Sequence, residues 1–384
     1  MKPTLDAPSL SPPPAALSLE HPIATKDSLI AAMESSRTLT WNRWLLWVSA
    51  AWAAAIIIFV VCLGLGTQTI SYSRIIAVIF GAVAGSSIEQ GLSDSTSVIL
   101  FHVRMPRVLL AFFVGGSLAM VGVALQALLR NPLADPFVIG ISSGAALGAA
   151  MALLFGLGIS VGSLSALPVC AFAGAILSLM IMYRISSAQF GFSVYTLLLA
   201  GVVLNAIFSA FIMFLTSIAE PNRAFGMYAW LMGTLTGPDW ATLGILVLYL
   251  GVGLVILGMH AQALNLLTLG EETARSLGVE VERVKKMVFL AAALLTGAVV
   301  SFSGIIGFVG LIIPHAVRLV VSADHRLLLP MASLVGGTFL MLADTVARTA
   351  LSPSEFPVGV ITALVGGPIF LWLLTTRQTQ LGMK

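Results

Sequence analysis

A chain of 384 residues ordinarily divides into two or three soluble domains, but its composition excludes that arrangement. Hydrophobic residues supply 58% of it and Asp, Glu, Lys and Arg only 9%, at a mean hydropathy of +1.03, too few charges to cover a water-facing surface. The net charge of +3 is too small an excess to imply nucleic acid, and the two cysteines, Cys62 and Cys170, lie in apolar runs, which excludes a disulfide scaffold or a cysteine metal cage. The chain reads as an all-α polytopic membrane protein.

Residues 1–43 hold six of the 17 prolines and no long apolar run, which predicts a flexible tail and not a signal peptide. Crossing about 30 Å of hydrocarbon takes about 20 apolar residues. Stretches of that kind follow at 44–66, 108–129, 137–157, 166–183, 194–217, 242–262, 287–302, 304–317, 328–347 and 357–375, and Asp344 is their only Asp, Glu, Lys or Arg. Segment 73–83 is too short to cross and is placed as a helix at the membrane surface.

The stretch 287–317 is ambiguous, since its 31 residues would extend about 46 Å as one helix, too long for one crossing and short for two. With two spans and a cytoplasmic N-terminus, 14 Lys and Arg fall inside and 5 outside; with one span the division is 11 to 8. The positive-inside bias therefore favours two spans joined by a tight turn near Ser301–Gly307. The expectation is ten helices within 44–376, both termini cytoplasmic, with 377–384 as the C-terminal segment. Ten spans also permit two five-helix halves of opposite orientation.

Between the spans, three hydrophilic segments stand out. Arg104-Met105-Pro106-Arg107 precedes the second span on the outer side, where basic residues run against the usual bias. They either snorkel to lipid phosphates or receive an acidic partner. Arg348 lies on the same side, with Asp344 one helical turn before it as a structural partner. Arg130-Asn131-Pro132-Leu133-Ala134-Asp135-Pro136 carries two prolines and an Asn, predicting a rigid cytoplasmic turn. Segment 263–286 is the longest: Gly270 precedes Glu271 and Glu272, Arg275 follows, and Gly278 closes it. Acids in a first turn and a glycine after the last describe a short, well-terminated cytoplasmic helix.

Other patterns carry no chemistry. Gly140-Ile141-Ser142-Ser143-Gly144 fits G-x-S-x-G, with His315 as an imaginable base for an intramembrane serine hydrolase, but no strand precedes Ser142. His102, His260, His315 and His325 lack metal-ligand spacing, and no lysine follows a G-x-x-x-x-G stretch, so the chain has no ATP site of its own. An ion-coupled secondary transporter usually keeps ionisable groups at midplane, and one Asp near a helix end is a poor outfit for that. A neutral pathway energised from outside the chain remains.

The run RMPRVLLAFFVGGSLAMVGVALQALLRNPLADPFVIGISSGAALGA (104–148) resembles the core of permease subunits in ABC importers for iron-siderophores, haem and vitamin B12. LGEETARSLGV (269–279) resembles their ATPase-coupling segment, and GFVGLIIPHAVRLV (307–320) with ADTVART…EFPVGVITALVGGPIFLWLL (343–374) their closing helices. The likeness spans residues 44–376; the tail has no counterpart. It implies a homodimeric permease of the bacterial inner membrane, in contact with lipid, working by alternating access with two cytoplasmic ATPase subunits and a periplasmic binding protein. The permease itself would bind no cofactor and no metal, ATP and Mg being used by the partners. It further implies that Arg104, Arg107 and Arg348 meet carboxylates of the binding protein. Gly270, Glu271, Glu272, Ala274, Arg275 and Gly278 would form the coupling helix, Asn131, Pro132, Asp135 and Pro136 a cytoplasmic loop, and Asn205 a lining position of the pathway.

Overall fold

A computed structural model describes residues 40–66, 70–83, 95–137, 140–157, 160–161, 164–186, 194–235, 239–352 and 354–380. The chain divides into Met1–Arg43 and a compact unit Trp44–Lys384. Most of the expected tail, residues 1–39, and the last residues of the expected C-terminal segment, 381–384, lie outside the described residues.

The helices are α1 Trp41–Gly64, α2 Tyr72–Val83, α3 Ser95–Val98, α4 Met105–Leu128, α5 Ile141–Leu154, α6 Ala166–Ser186, α7 Val194–Ile218, α8 Pro221–Leu231, α9 Trp240–Met259, α10 Ala261–Thr268, α11 Glu271–Ser276, α12 Val281–Ser303, α13 Val309–Val320, α14 His325–Thr349 and α15 Val358–Gln380. A hairpin of two-residue strands, β1 Ser160–Val161 and β2 Leu164–Ser165, supplies the strands among the described residues. Among the described residues, seven helical stretches are long and apolar enough to cross a membrane, and three shorter apolar ones, Ile141–Leu154, Val309–Val320 and Val358–Trp372, fall where three further spans were expected. The surface helix expected at 73–83 forms as α2, and α15 continues to Gln380, past the expected end at 375.

Two features differ from expectation. The second span begins at Thr96 and not at 108, because a π-helical turn, Ile99–Arg104, joins α3 to α4. Pro106 has no N–H to offer the carbonyl four residues back, and the N–H of Met105 reaches Leu100 O, five residues back, instead. α8 was also not foreseen. It lies between α7 and α9, starts on Pro221, and its C-terminal turn braces the break between α12 and α13, where the N–H of Thr234 donates to Ser303 O at 2.9 Å.

That break is where 287–317 divides. α12 ends at Ser303, Gly304 takes φ 64°, and Phe308 takes φ 69° before α13 starts. The entry into α5 is alike: a short helix after a long buried one, opened by a left-handed residue, Gly140 at φ 78°.

The core is built on close backbone approach. α4 buries most of its length and packs most extensively on α14 and then on α12 and α13. Gly115 lies against Gly336 O, Gly122 against Gly310 O, and on the α5–α6 contact Gly148 lies against Cys170 O. Lipid chains are as apolar as leucine, so helices associate in a membrane by such small-residue contacts more than by hydrophobic burial. Many large apolar side chains also point outward, as Leu248 (73% exposed) and Met213 (73%) do.

Gly122→Ala should lower the thermal unfolding midpoint of the purified protein, because the added methyl falls inside the envelope of Gly310 O and two backbones have to part. Gly251→Ala, whose methyl meets nothing within 4 Å, should hold the midpoint or raise it, by the ~0.5–1 kcal/mol that alanine gains over glycine inside a helix. Equal midpoints for both variants in one detergent would show that α4 and α13 do not meet this closely.

Candidate functional site

The segment between α9 and α12 folds into α10 and α11. α10 buries Leu264 and Leu267 in its contacts with α4 and α14. α11 follows Gly270, whose φ of 116° suits glycine, and is closed by Gly278 at φ 85°. Ala274 is buried, while Glu272, Thr273, Arg275 and Ser276 face outward, flanked by the exposed Leu269 (65%) and Leu277 (58%). Two ion pairs tie α11 to the first turns of α12. Lys285 Nζ lies 2.6 Å from Glu271 Oε1, and Arg275 Nη2 lies 3.6 Å from Glu282 Oε1. Lys285 is the residue that sequence reasoning missed. Nearly all its length is buried, and its sequence signal was the three-residue spacing from Glu282.

The turn after α4 belongs to the same end of the molecule. The N–H of Asn131 donates to Gln126 O (3.1 Å) and that of Arg130 to Ala127 O (3.2 Å), the paired pattern of a Schellman stop, with Arg130 in the left-handed position at φ 46°. Asn131 Oδ1 accepts from Leu133 N and Asp135 Oδ1 from Phe137 N, so two side chains close the rigid turn expected of Asn131, Pro132, Asp135 and Pro136. Pro136 rests on Gly310 at the start of α13. Burial pushes the Asp135 carboxyl up to about 6, against the opposing N–H of Phe137.

At the other end, Arg107 and Arg348 flank Asp344, which is fully buried, and Arg104 lies close to Arg348. Arg107 donates from Nε (3.0 Å) and also places Nη2 (2.9 Å) on Asp344 Oδ1, while its Nη1 reaches Glu355 Oε2 at 2.9 Å. Arg348 Nε stands 3.7 Å from Asp344 Oδ2, so the expected Asp344–Arg348 pair exists, but the closer partner of Asp344 is Arg107. Arg348 Nη2 donates to Cys62 O at 2.6 Å and Arg104 Nη1 to Leu63 O at 2.9 Å. These carbonyls end α1 and have no helical N–H to accept, so both guanidiniums cap a helix C-terminus. Arg104 and Arg348 are each 5% exposed. Both therefore hold this chain's own helix end, a role that lipid anchoring or docking had not anticipated. The Arg107 side chain remains 13% exposed, and Glu355 is 48% exposed.

The remaining candidates are dispersed. Asn205 lies on an exposed face of α7, one turn before the equally exposed Ser209. Ser142 is buried in the first turn of α5, and its Oγ has no hydrogen-bond partner among the described residues, so no nucleophile–base pair with His315 is formed. His102, His260, His315 and His325 fall on separate elements, and among the described residues no group of His, Cys, Asp and Glu is arranged to hold a metal.

Comparison with known proteins bears on both ends. The profile of the FecCD transport family matches residues 54–376. Over 293 residues the chain is 44% identical to the cobalamin import system permease protein BtuC of Halobacterium salinarum, an alignment covering 76% of this chain and 78% of that protein. It is likewise 44% identical over 292 residues to the hemin transport system permease protein HmuU of Yersinia pestis, covering 75% of this chain and 86% of the relative. A solved metal-chelate type ABC transporter in an inward-facing conformation superposes with a TM-score of 0.72 at 32% identity, covering 86% of this chain and 99% of the other.

Asp344→Asn should lower the unfolding midpoint by the equivalent of about 3–5 kcal/mol, because it removes the buried anion between Arg107 and Arg348 and leaves Arg107 only the half-exposed Glu355. Adding Arg107→Met should recover part of the loss; an unchanged midpoint in Asp344→Asn alone would mean that water already screens the cluster. A second outcome concerns pH. The folded-state value of about 6 at Asp135 lies above the ordinary carboxylate value, so the folded chain binds the extra proton. The stabilisation is complete below the ordinary value of about 4 and is lost as pH rises through 6, a contribution of about 3 kcal/mol at most. Midpoints measured from pH 4.5 to 7.5 should fall more steeply in the natural chain than in Asp135→Asn; identical slopes would assign the dependence to other groups.

Proposed function

Because the chain belongs to the FecCD transport family and is a membrane permease subunit of a type II ABC importer for vitamin B12, haem or other metal chelates, we propose that two copies of it carry such a chelate inward by alternating access. It is a transport subunit, and ATP hydrolysis belongs to partner subunits. The seven long helices and the three short apolar ones support ten spans, and the placement of Lys and Arg supports both termini in the cytoplasm and the chain in the inner (plasma) membrane. The matching left-handed entries into α5 and α13 favour two inverted halves.

The observation that carries the reading is α11. A membrane protein with so few charges spends four of them fastening one short helix, yet leaves two leucines exposed on either side of it. Exposed apolar anchors beside a polar helix describe a docking surface for a protein. In the proposed assembly a cytoplasmic ATPase using ATP and Mg receives Glu272, Arg275, Leu269 and Leu277, while Glu271 and Ala274 face the permease and Gly270 and Gly278 set the helix ends.

At the opposite face a periplasmic binding protein docks. Of Arg104, Arg107 and Arg348 there, Arg107 divides its guanidinium between Asp344 and the half-exposed Glu355, so a carboxylate from outside can compete for it. Arg107, the least buried of the three, is the one placed to meet a partner's carboxylate; Arg104 and Arg348 hold the end of α1 beneath it. Asn205 and Ser209 give α7 the polar stripe of a pathway wall at the axis between two copies.

Co-expression with the cognate ATPase and binding protein separates the two ends. Arg275→Glu, which sets a second acid against Glu282, should reduce ATPase co-purification or ATP-driven uptake while binding-protein association persists. Arg107→Glu should do the reverse, and the natural association should weaken between 0.1 and 1 M salt as the Debye length shrinks from about 10 to about 3 Å. Normal uptake and normal association in both variants would overturn the assignment of the two faces.

A further inference from the structure

α11 is joined to α9 and α12 by the chain itself and to α12 again by two ion pairs. None of these links reaches α14, the helix packed most extensively on α4, which is separated from α11 along the chain by all of α12 and α13. The polar link to α14 comes from the other half of the segment. On α10, Asn265 Nδ2 donates to Asp324 Oδ1 at 2.7 Å, and Asn265 Oδ1 accepts the backbone N–H of His325 at 2.8 Å and lies 2.6 Å from His325 Nδ1. One amide thus engages both the N-cap residue of α14 and the first residue of its first turn.

The geometry is tight on both sides. His325 is 3% exposed, and Asp324 also accepts from the N–H of Arg326, which is its ordinary capping duty. Burial alone would raise the Asp324 carboxyl, but the donors of Arg326 and Asn265 outweigh it and hold it at about 2, so it is a full acceptor at any physiological pH. α14 is pinned from a second direction by Trp44 of α1, whose Nε1 donates to Arg326 O at 3.1 Å. α13 is fixed to α4 separately, through Arg318, Gln126 and the carbonyls of Gly310 and Leu311.

We infer that Asn265 is the joint through which displacement of the α10–α11 segment is passed to α14, and so a positioning residue for transport; this rests on the coupling role proposed for α11. Leu264 and Leu267 also contribute to the packing of α10 on α4 and α14, but apolar contact has no direction and lets helices slide past each other. Three short bonds between one amide and one helix terminus fix position and orientation together. Without them α11 still docks its partner and still follows α12, while α14 no longer moves with it. At its far end α14 carries Asp344 and Arg348, so the same helix runs from this joint to the guanidinium cluster at the opposite face.

The test uses the complete importer in proteoliposomes, with ATP and Mg as the probe and spin labels at Leu351→Cys, an exposed position (57%) just beyond α14, on both copies. The unaltered joint should show an ATP-dependent change in label spacing. Asn265→Asp sets a second carboxylate against Asp324. It should keep ATPase co-purification and ATP hydrolysis but shrink the population that changes spacing about tenfold, as expected for loss of one or two buried hydrogen bonds. The exchange Asn265→Asp with Asp324→Asn re-forms the clasp with donor and acceptor swapped, keeps an acceptor for Arg326 N and His325 N, and should restore the change. A full spacing change in Asn265→Asp would overturn the inference. So would a swapped variant that inserts and hydrolyses ATP but stays silent, including where the single variant fails to insert. Absence of any ATP-dependent change with Asn265 intact would instead sink the importer mechanism on which the joint depends.

Discussion

The unsatisfied carbonyls at the end of α1 set the layout of one face of the molecule. Cys62 and Leu63 are fully buried, and a carbonyl without a donor there is expensive. Arg348 and Arg104 supply the donors, and the charge of Arg348 is met by Asp344, one turn back on its own helix. Asp344 in turn holds Arg107 at the surface, where its remaining nitrogen meets Glu355. Each residue of this series follows from the one before it, and a cluster that begins as helix capping ends as an ion pair at the rim.

The same constraint governs the opposite end with other chemistry. α4 stops by turning two of its own carbonyls onto Arg130 and Asn131, and α14 starts on Asp324. α11 is bounded by two glycines in left-handed conformations. With so few charged residues, little polar side chain is left over. What remains, Asn265 and Lys285 above all, therefore connects elements instead of decorating a solvated surface.

The spans were legible because hydropathy, length and charge placement are local properties. The division of 287–317 was legible because it followed from helix rise and charge bias, and the structure places the break at Gly304–Phe308. α11 was legible from two glycines and two glutamates. The missed features depend on partners far away in sequence. Arg348 reaches a carbonyl 286 residues away and Arg104 one 41 residues away, so nothing in either neighbourhood marks them as helix caps. Asn265 looks like an ordinary polar residue until His325, 60 residues on, is placed beside it. α8 was missed for another reason: Arg223 and Asn222 interrupt its apolar pattern, and its register is set by Pro221 and by packing on the α12–α13 break.

The two attachments of the α10–α11 segment differ in kind, and the difference suits a part that must both exchange partners and transmit force. The pairs on the α12 side are strongest where they are buried: Lys285 and Glu271 are close, but Arg275 and Glu282 are more than 40% exposed and 3.6 Å apart. Exposed pairs of that kind contribute about 0–1 kcal/mol and yield readily to a competing charge, which is what a surface that binds another subunit requires. The attachment on the α14 side uses a neutral amide against a part-buried helix terminus, where direction is fixed by three close contacts and the carboxylate is shared with Arg326. A loose ionic joint beside the partner and a rigid amide joint beside the core allow α11 to adjust to what docks on it without losing its hold on the helix it moves.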